Sequence, residues 1–327
     1  MANDLRIFAL DSGRDYAGAV AAALGTRLAA HEERVFEDGE HKSRPLESVR
    51  GADVYVVQSI AGTAQHDVDA VLMRLLFFVA ALKDAAAARV TVVAPYLAYA
   101  RKDQRTKPRD PVTTRYIASF LEAAGAAGMV AIDVHNVAAY QNAYRCCCEH
   151  LAAAPLFVAH LVPRLGQAPV TVVSPDAGAI KRADALRLRL AAALGRPVEV
   201  AFVEKYRSEG TLRGGMLVGD VAGRVAVIVD DLVSAGNTIA RAARACRAHG
   251  ATGVVACATH GVFAAEANVV LADAPVDELV VTDTLPPWRL TESRVLDRLQ
   301  RVSTVPLVAD AIRRMHEGGS LVALAAG

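Results

Sequence analysis

The sequence predicts an α/β protein of two tandem domains, each a mostly parallel sheet flanked by helices. Three observations carry this expectation. Short β-branched runs, apolar on both faces, alternate with amphipathic stripes, as parallel strands between helical layers must. A chain of 327 residues with 53% hydrophobic content is too long for one ordinary core and has ample material for two. The halves also echo each other. RVTVVAPYLAYARKD and RVAVIVDDLVSAGNT each open Arg-Val and end in a polar loop, and each is followed by a helix, a Gly and a strand ending in His (His135, His260).

The elements follow in order. Strands are expected at 52–59, 89–95 and 129–134 in the first half, and at 170–174, 198–203, 224–230, 253–259 and 278–283 in the second. Residues 67–84 place Val71, Leu72, Leu75, Leu76, Val79 and Leu82 on one helical stripe. Pro111 opens the next expected helix, with Tyr116, Ile117, Phe120 and Leu121 inward and Gly125 at its end. Residues 238–248 carry Ile239, Ala242, Ala243 and Cys246 inward, with Gly250 following. The domains are expected at 1–155 and 156–327, joined near 152–167, with the last helix able to pack on the first domain.

Bulk properties narrow the function. A net charge of +1 gives no electrostatic case for nucleic acid or an acidic membrane. The longest apolar run, LLFFVAAL at 75–82, is far too short to span a bilayer, and the N-terminus lacks a signal-peptide pattern. The expectation is a soluble cytoplasmic protein. The five cysteines (Cys146, Cys147, Cys148, Cys246, Cys257) do not form a disulfide framework, and the Cys-Cys-Cys run lacks metal-ligand spacing. Buried small side chains are the better reading of that run.

Ligands of open α/β sheets bind outside the carboxyl ends of strands, and the polar loops at such ends hold the candidate chemistry. In VIVDDLVSAGNT (227–238), apolar residues deliver Asp230 and Asp231 to a strand end. Ser234, Ala235, Gly236, Asn237 and Thr238 then lead into a helix. Small residues let amides converge on an anion at a helix N-terminus, while the carboxylates suit sugar hydroxyls; a phosphorylated ribose satisfies both. VVSPDAGAIKRA (172–183) repeats the logic with Asp176, Ala177 and Gly178, then Lys181 and Arg182. A magnesium pyrophosphate suits it, and an N-capped helix with a solvated basic pair is the plainer alternative. His135 ends AIDVHN, where a structural role is the plainer reading. The loop 94–111 gathers Arg101, Lys102, Arg105, Lys107 and Arg109 with Tyr96 and Tyr99, a cationic surface suited to a triphosphate and an aromatic for a base. RVFEDGEHK (34–42) adds a turn with Asp38, Gly39 and Glu40, plainly a hairpin otherwise. Lys205 and Arg207 lie in a polar, glycine-containing stretch that reads as a flexible loop.

Taken together, FEDGE, SVRGADVYVVQS, PYLAYARKD, IDVHN, SPDAG, KYR, GDVAGRVAVIVDDLVSAGNT, ATHGVF and VTDTLP resemble, in order and spacing, the ribose-phosphate pyrophosphokinase (phosphoribosyl pyrophosphate synthetase) family from about Arg6 to Met315. The resemblance implies two phosphoribosyltransferase-like domains. It also implies a transferase that moves the pyrophosphoryl group of ATP to the 1-hydroxyl of ribose 5-phosphate for nucleotide biosynthesis. Carried over by position, Phe36, Asp38, Gly39, Glu40, Arg101, Lys102 and Asp103 bind ATP, and His135 and Asp176 bind Mg²⁺. Asp176, Ala177 and Gly178 hold pyrophosphate, and Lys205 and Arg207 are catalytic on a mobile loop. Asp230, Asp231, Ser234, Ala235, Gly236, Asn237 and Thr238 hold ribose 5-phosphate. A dimer-based homo-oligomer, a hexamer or a smaller set, is implied as well.

The chain departs from the family pattern at several points. Lys102 stands where Gln is common, Ala179 where Gly is common, and Ser234 and Asn237 replace an Asp and a Gly. Ala179 is harmless only at negative φ, and Asn237 tolerates a left-handed backbone. These changes and the cysteine run motivate an alternative, a catalytically silent regulatory paralogue that binds an active homologue. A plain phosphoribosyltransferase shares the Asp-Asp loop but needs only one such domain.

Overall fold

In the computed structural model, residues 4–208, 211–322 and 324 are described, with the side chains of 205–208 and 211–215 left aside. The chain divides into two compact units, Met1–Ala152 with Val305–Gly327, and Ala153–Thr304.

The first unit begins with β1 (Leu5–Phe8) and α1 (Arg14–Ala23), then a hairpin of β2 (His31–Val35) and β3 (His41–Pro45). β4 (Asp53–Val57), α2 (Val68–Asp84), β5 (Arg89–Ala94), α3 (Thr113–Ala123), β6 (Gly128–Ile132), α4 (Val137–Ala143) and β7 (Cys147–Leu151) follow. The five strands form a parallel sheet in the order β1-β4-β5-β6-β7. β4 and β6 are buried along their whole length, as strands covered on both faces should be. Asp67 caps α2 by accepting from the Ala70 amide at 2.8 Å, so the helix starts one residue after the expected position. α3 opens at Thr113, two residues after Pro111, because the Thr113 and Thr114 hydroxyls bond back to the Tyr99 carbonyl at 3.1 Å each.

The second unit contains α5 (Ala154–Leu165), β8 (Val170–Ser174), α6 (Ile180–Leu194), β9 (Glu199–Ser208) and β10 (Thr211–Val218). It continues with β11 (Val225–Val233), α7 (Asn237–Ala248), β12 (Gly253–Gly261), α8 (Ala267–Ala272), β13 (Glu278–Thr282), α9 (Ser293–Leu296) and β14 (Leu299–Val302). Its seven-stranded sheet runs β10-β9-β8-β11-β12-β13-β14, parallel except for the antiparallel β10–β9 pair. Residues 152–167, read from sequence as a join, are mostly α5, with Phe157, Leu161 and Leu165 buried.

The last helix, α10 (Val305–Glu317), belongs to the first unit and packs on α1 through an apolar stripe of Val308, Ala309, Ala311 and Ile312. Its end is fastened by charge. Asp53 on β4 is 2% exposed and takes two hydrogen bonds from Arg89 on β5, at 2.7 and 2.6 Å. His316 on α10 approaches the same carboxylate at 2.8 Å, and Arg89 donates to the Met315 carbonyl at 3.3 Å. Burial alone would raise the Asp53 carboxyl, but Arg89 and His316 more than offset it and hold it below its ordinary value.

The cysteine run corrects its expectation. Cys147 is exposed and Cys146 and Cys148 are half-buried, because they stand on or beside β7, the sheet's end strand, which has a neighbour on one side only. Burial and Glu122 push the Cys146 thiol up to about 12, so it is not a reactive thiolate. No helix among the described residues is long and apolar enough to cross a membrane.

Replacing Asp53 with Asn should destabilise the protein by about 2 kcal/mol, since a half-buried Arg89 loses its partner. Because the folded carboxyl is depressed, this contribution is present at neutral pH and fades as pH falls through the Asp53 titration. Thermal melts of both proteins at pH 7 and pH 3 measure it; equal melting temperatures at pH 7 would refute it.

Candidate functional site

In the second unit, β11 carries Asp230 and Asp231 to the sheet's carboxyl edge, with Asp231 5% exposed. Two adjacent carboxyls there resist joint ionisation. Burial, with Asp231 alongside, pushes the Asp230 carboxyl up to about 7. The Asp231 amide donates to Asp230 at 2.9 Å and the Leu232 amide to Asp231 at 3.0 Å.

After β11 the chain turns at Gly236 into α7. Gly236 has φ 86°, and a Cβ there would lie 2.7 Å from Leu271 on α8, so only glycine fits. The left-handed residue is thus Gly236. Asn237 is the first residue of α7 and is not among the residues with positive φ. No side chain caps α7, and an uncapped helix N-terminus is the kind of place that favours an anion. The Ser234 carbonyl accepts from the Ala264 amide at 3.1 Å, which pins the loop to the end of β12.

The neighbouring loop after β8 is ordered from within. Asp176 accepts from the Gly178 amide at 3.0 Å, and Ser174 donates to the Asp176 carbonyl at 2.6 Å. Ala177 and Gly178 are exposed at the turn. Ala179 has φ −91°, so the alanine is accommodated without strain.

Arg182 stands on the first turn of α6, where the sequence offers either a pyrophosphate-loop cation or half of a solvated basic pair. Its guanidinium instead lies 3.6 Å from Asp230 and 3.9 Å from Asp231, partly offsetting their repulsion. It ties the Asp176 loop to the Asp230 loop, which sequence spacing could not show.

Lys205 and Arg207 fall on β9, where a loop was expected. The strand continues through these polar residues because β10 pairs with it, Lys205 opposite Gly215 and Arg207 opposite Leu212, with a register shift between Leu212 and Gly215. The side chains of Lys205 and Arg207 lie outside the described residues.

In the first unit, Phe36 to Glu40 form the exposed tip of the β2–β3 hairpin. The Phe36 amide donates to the Glu40 carbonyl at 2.8 Å, Gly39 takes φ 91°, and the Arg34 guanidinium lies 4.9 Å from the Phe36 ring centre. Beyond the end of β6, the Asn136 side chain donates to Asp103, in the loop after β5, at 2.7 Å, and its Oδ1 caps α4 by accepting from the Ala139 amide at 3.1 Å. This joins the Asp103 loop to the segment carrying the exposed His135. Lys102 pairs with Asp110 at 2.5 Å.

Among the described residues one cluster has metal-ligand character, Asp11 with His31 and Glu33, all ligand atoms lying within 4.8 Å of one another. Arg14 stands 2.9 Å from Asp11 and Arg74 3.6 Å from Glu33, and the Asp11 amide donates to Glu33 at 2.6 Å. The protein's own groups already match these carboxylates, so the cluster is an ion-pair network. It contains neither His135 nor Asp176, which stand in different units.

Comparison with known proteins matches both parts of the chain. A profile described as the N-terminal domain of ribose phosphate pyrophosphokinase matches residues 5–125, and one described as a phosphoribosyl synthetase-associated domain matches 213–325. The chain is 38% identical over 320 residues to a ribose-phosphate pyrophosphokinase of Caldanaerobacter subterraneus subsp. tengcongensis, covering 98% of this chain and 97% of that one. It is 34% identical to a similarly named protein of Aquifex aeolicus, covering 98% and 99%. The crystal structure of phosphoribosylpyrophosphate synthetase from Mycobacterium smegmatis superposes with a TM-score of 0.87 at 34% identity, covering 97% and 100%.

Arg182→Gln should move the Asp230 midpoint above about 7, because it removes a cation that favours the charged form while burial and the Asp231 carboxyl, which disfavour it, remain. Carboxylate NMR titration reads the midpoint directly; an unmoved value would show that Arg182 does not act on the pair.

Proposed function

The chain belongs to the ribose-phosphate pyrophosphokinase family, and on that premise we propose that it transfers the pyrophosphoryl group of ATP to the 1-hydroxyl of ribose 5-phosphate, giving phosphoribosyl pyrophosphate and AMP. The observation that carries this reading is the β11–α7 loop. An uncapped helix N-terminus follows, within one turn of chain, a pair of half-buried and buried aspartates. The helix end takes a phosphate and the carboxylates take hydroxyls, which together describe a phosphorylated sugar.

Each residue then has a task. The amides of Gly236, Asn237 and Thr238, with the hydroxyls of Ser234 and Thr238 and the small Ala235, hold the 5-phosphate. Asp230 and Asp231 accept from the ribose hydroxyls and fix the sugar's orientation. Ala177 and Gly178, exposed at their turn, present backbone to the pyrophosphoryl group. Phe36 offers a ring to the adenine, while Asp38, Gly39 and Glu40 at the hairpin tip serve its polar edge. Arg101 and Lys102 meet the phosphates, and Asp103 orders their loop through Asn136. Lys205 and Arg207 neutralise charge on the transferred group. Pyrophosphoryl transfer depends on positioning and charge neutralisation more than on covalent help, so this set is sufficient in kind.

Asp176, a carboxylate, and His135, exposed at its strand end, would be the protein's ligands for Mg²⁺. The ion would supply neutralisation of phosphate charge. A dimer-based homo-oligomer in the cytoplasm belongs to the same reading.

Incubation with ATP, Mg²⁺ and ribose 5-phosphate should release AMP and phosphoribosyl pyrophosphate, and Lys205→Ala should cut kcat by roughly a hundred-fold or more. Release of no more AMP than this variant gives would sink the proposal. The pH dependence has a defined sign. Protonated Asp230 is a poorer acceptor for sugar hydroxyls, so kcat/KM for ribose 5-phosphate should rise with pH through about 7. Profiles of wild type and Asp230→Asn, the latter lacking that rise, test this assignment.

A further inference from the structure

The loop after β5 carries five cations, Arg101, Lys102, Arg105, Lys107 and Arg109, and closes on one carboxylate. Asp110 Oδ2 collects four donors: Lys102 Nζ at 2.5 Å, the Thr106 hydroxyl at 2.9 Å, and the amides of Thr106 and Lys107 at 3.1 and 3.0 Å. The Asp110 backbone joins in. Its amide donates to the Lys107 carbonyl at 3.2 Å, and its carbonyl accepts from Arg105 Nε at 3.2 Å.

The loop is also held in conformations it would not adopt unaided. Tyr99 sits at φ 64° and Arg109 at φ 66°, the left-handed region that such residues enter only when their surroundings impose it. At Tyr99 the imposing contacts are the Thr113 and Thr114 hydroxyls on its carbonyl and Asp69 on its phenol. At Arg109 the imposing element is the bonding of the next residue, Asp110.

Lys102 is the centre of this arrangement. An ammonium has three N–H groups. One points at Asp110 and one at the Thr106 hydroxyl at 3.0 Å, so the third is oriented without a partner among the described residues. A free lysine loses much rotamer freedom when it grips a ligand, and a held one loses less. Lys102 stands among four other cations of the loop, and Asp110 supplies its counter-charge.

We infer that Asp110 is a positioning residue for the polyphosphate of the nucleotide donor, acting by locking the 102–110 loop and aiming the third N–H of Lys102. The inference rests on the proposed function and adds the element that presents the donor loop. Asp110 carries a depressed carboxyl, held down first by Lys102 and then by Thr106, so the lock is charged throughout the neutral range.

The test compares wild type, Asp110→Asn, Asp110→Glu, Lys102→Met and the Lys102→Met/Asp110→Asn double variant, as full-length protein with Mg²⁺. Steady-state kinetics gives KM for each substrate, and calorimetry gives ATP binding without turnover. Asp110→Asn should raise both KM and Kd for ATP by about ten-fold, with KM for ribose 5-phosphate within about two-fold of wild type. Asp110→Glu should recover part of the loss. The double variant should be no worse than Lys102→Met, because Asp110 acts through Lys102. ATP affinity that is unchanged or tighter in Asp110→Asn overturns the inference, as does full additivity in the double variant. Equal losses for both substrates also overturn it, because they describe general damage. Failure of the wild type to bind ATP or release AMP would instead defeat the proposed function, so the two failures are distinguishable.

Discussion

A parallel strand buried on both faces can carry almost nothing polar along its length, and that constraint arranges the rest of this protein. β4, β6 and β8 are buried from end to end, so the polar chemistry of both sheets collects where strands release the chain. Asp230 and Asp231 at β11, Asp176 after β8, His135 after β6 and the cationic loop after β5 all stand at such ends. The same reasoning explains the exception. β9 and β10 form the antiparallel edge of the second sheet, and an edge tolerates the polar run containing Lys205 and Arg207 inside a strand.

Gathering charge at strand ends creates a second requirement. Like charges brought together in a half-buried place need partners before any ligand arrives. The protein meets this locally each time: Arg182 faces Asp230 and Asp231, Asp110 faces Lys102, and Asn136 faces Asp103. These partners order the loops, and a loop ordered in advance has less freedom to lose on binding. The departures from the family pattern fit within this scheme. Ala179 sits at negative φ, Gly236 and not Asn237 carries the left-handed turn, and Lys102 has its own counter-charge.

Much of this was legible along the chain. The strands at 89–95, 129–134, 170–174 and 224–230 are continuous apolar runs, and they appear within three residues of their expected ends. The Asp230-to-Thr238 loop was readable because an aspartate pair, small residues and a helix start are contiguous in sequence. Illegible pieces had weak or nonlocal signals. β1, β7, β10 and β14 are short, polar or rich in glycine, and only a neighbouring strand makes them strands. Nothing local to Arg182 reveals that it faces residues some fifty positions away. Nothing around Asp110 in the sequence reveals its pairing with Lys102.

The sequence by itself determined the alternation of strands and helices, the two-fold echo of the halves and the polar loops that follow the strands. These follow from periodicity and from contiguous residue types, which are local properties of a chain. Only the tertiary structure decided which charges meet. It set Arg182 on the aspartate pair, Asp110 on Lys102, and the C-terminal helix against Asp53 and Arg89, more than two hundred residues earlier in the chain. Electrostatic pairing acts through space and is blind to sequence separation, so packing had to bring those groups within a few ångströms before any of them acquired a role.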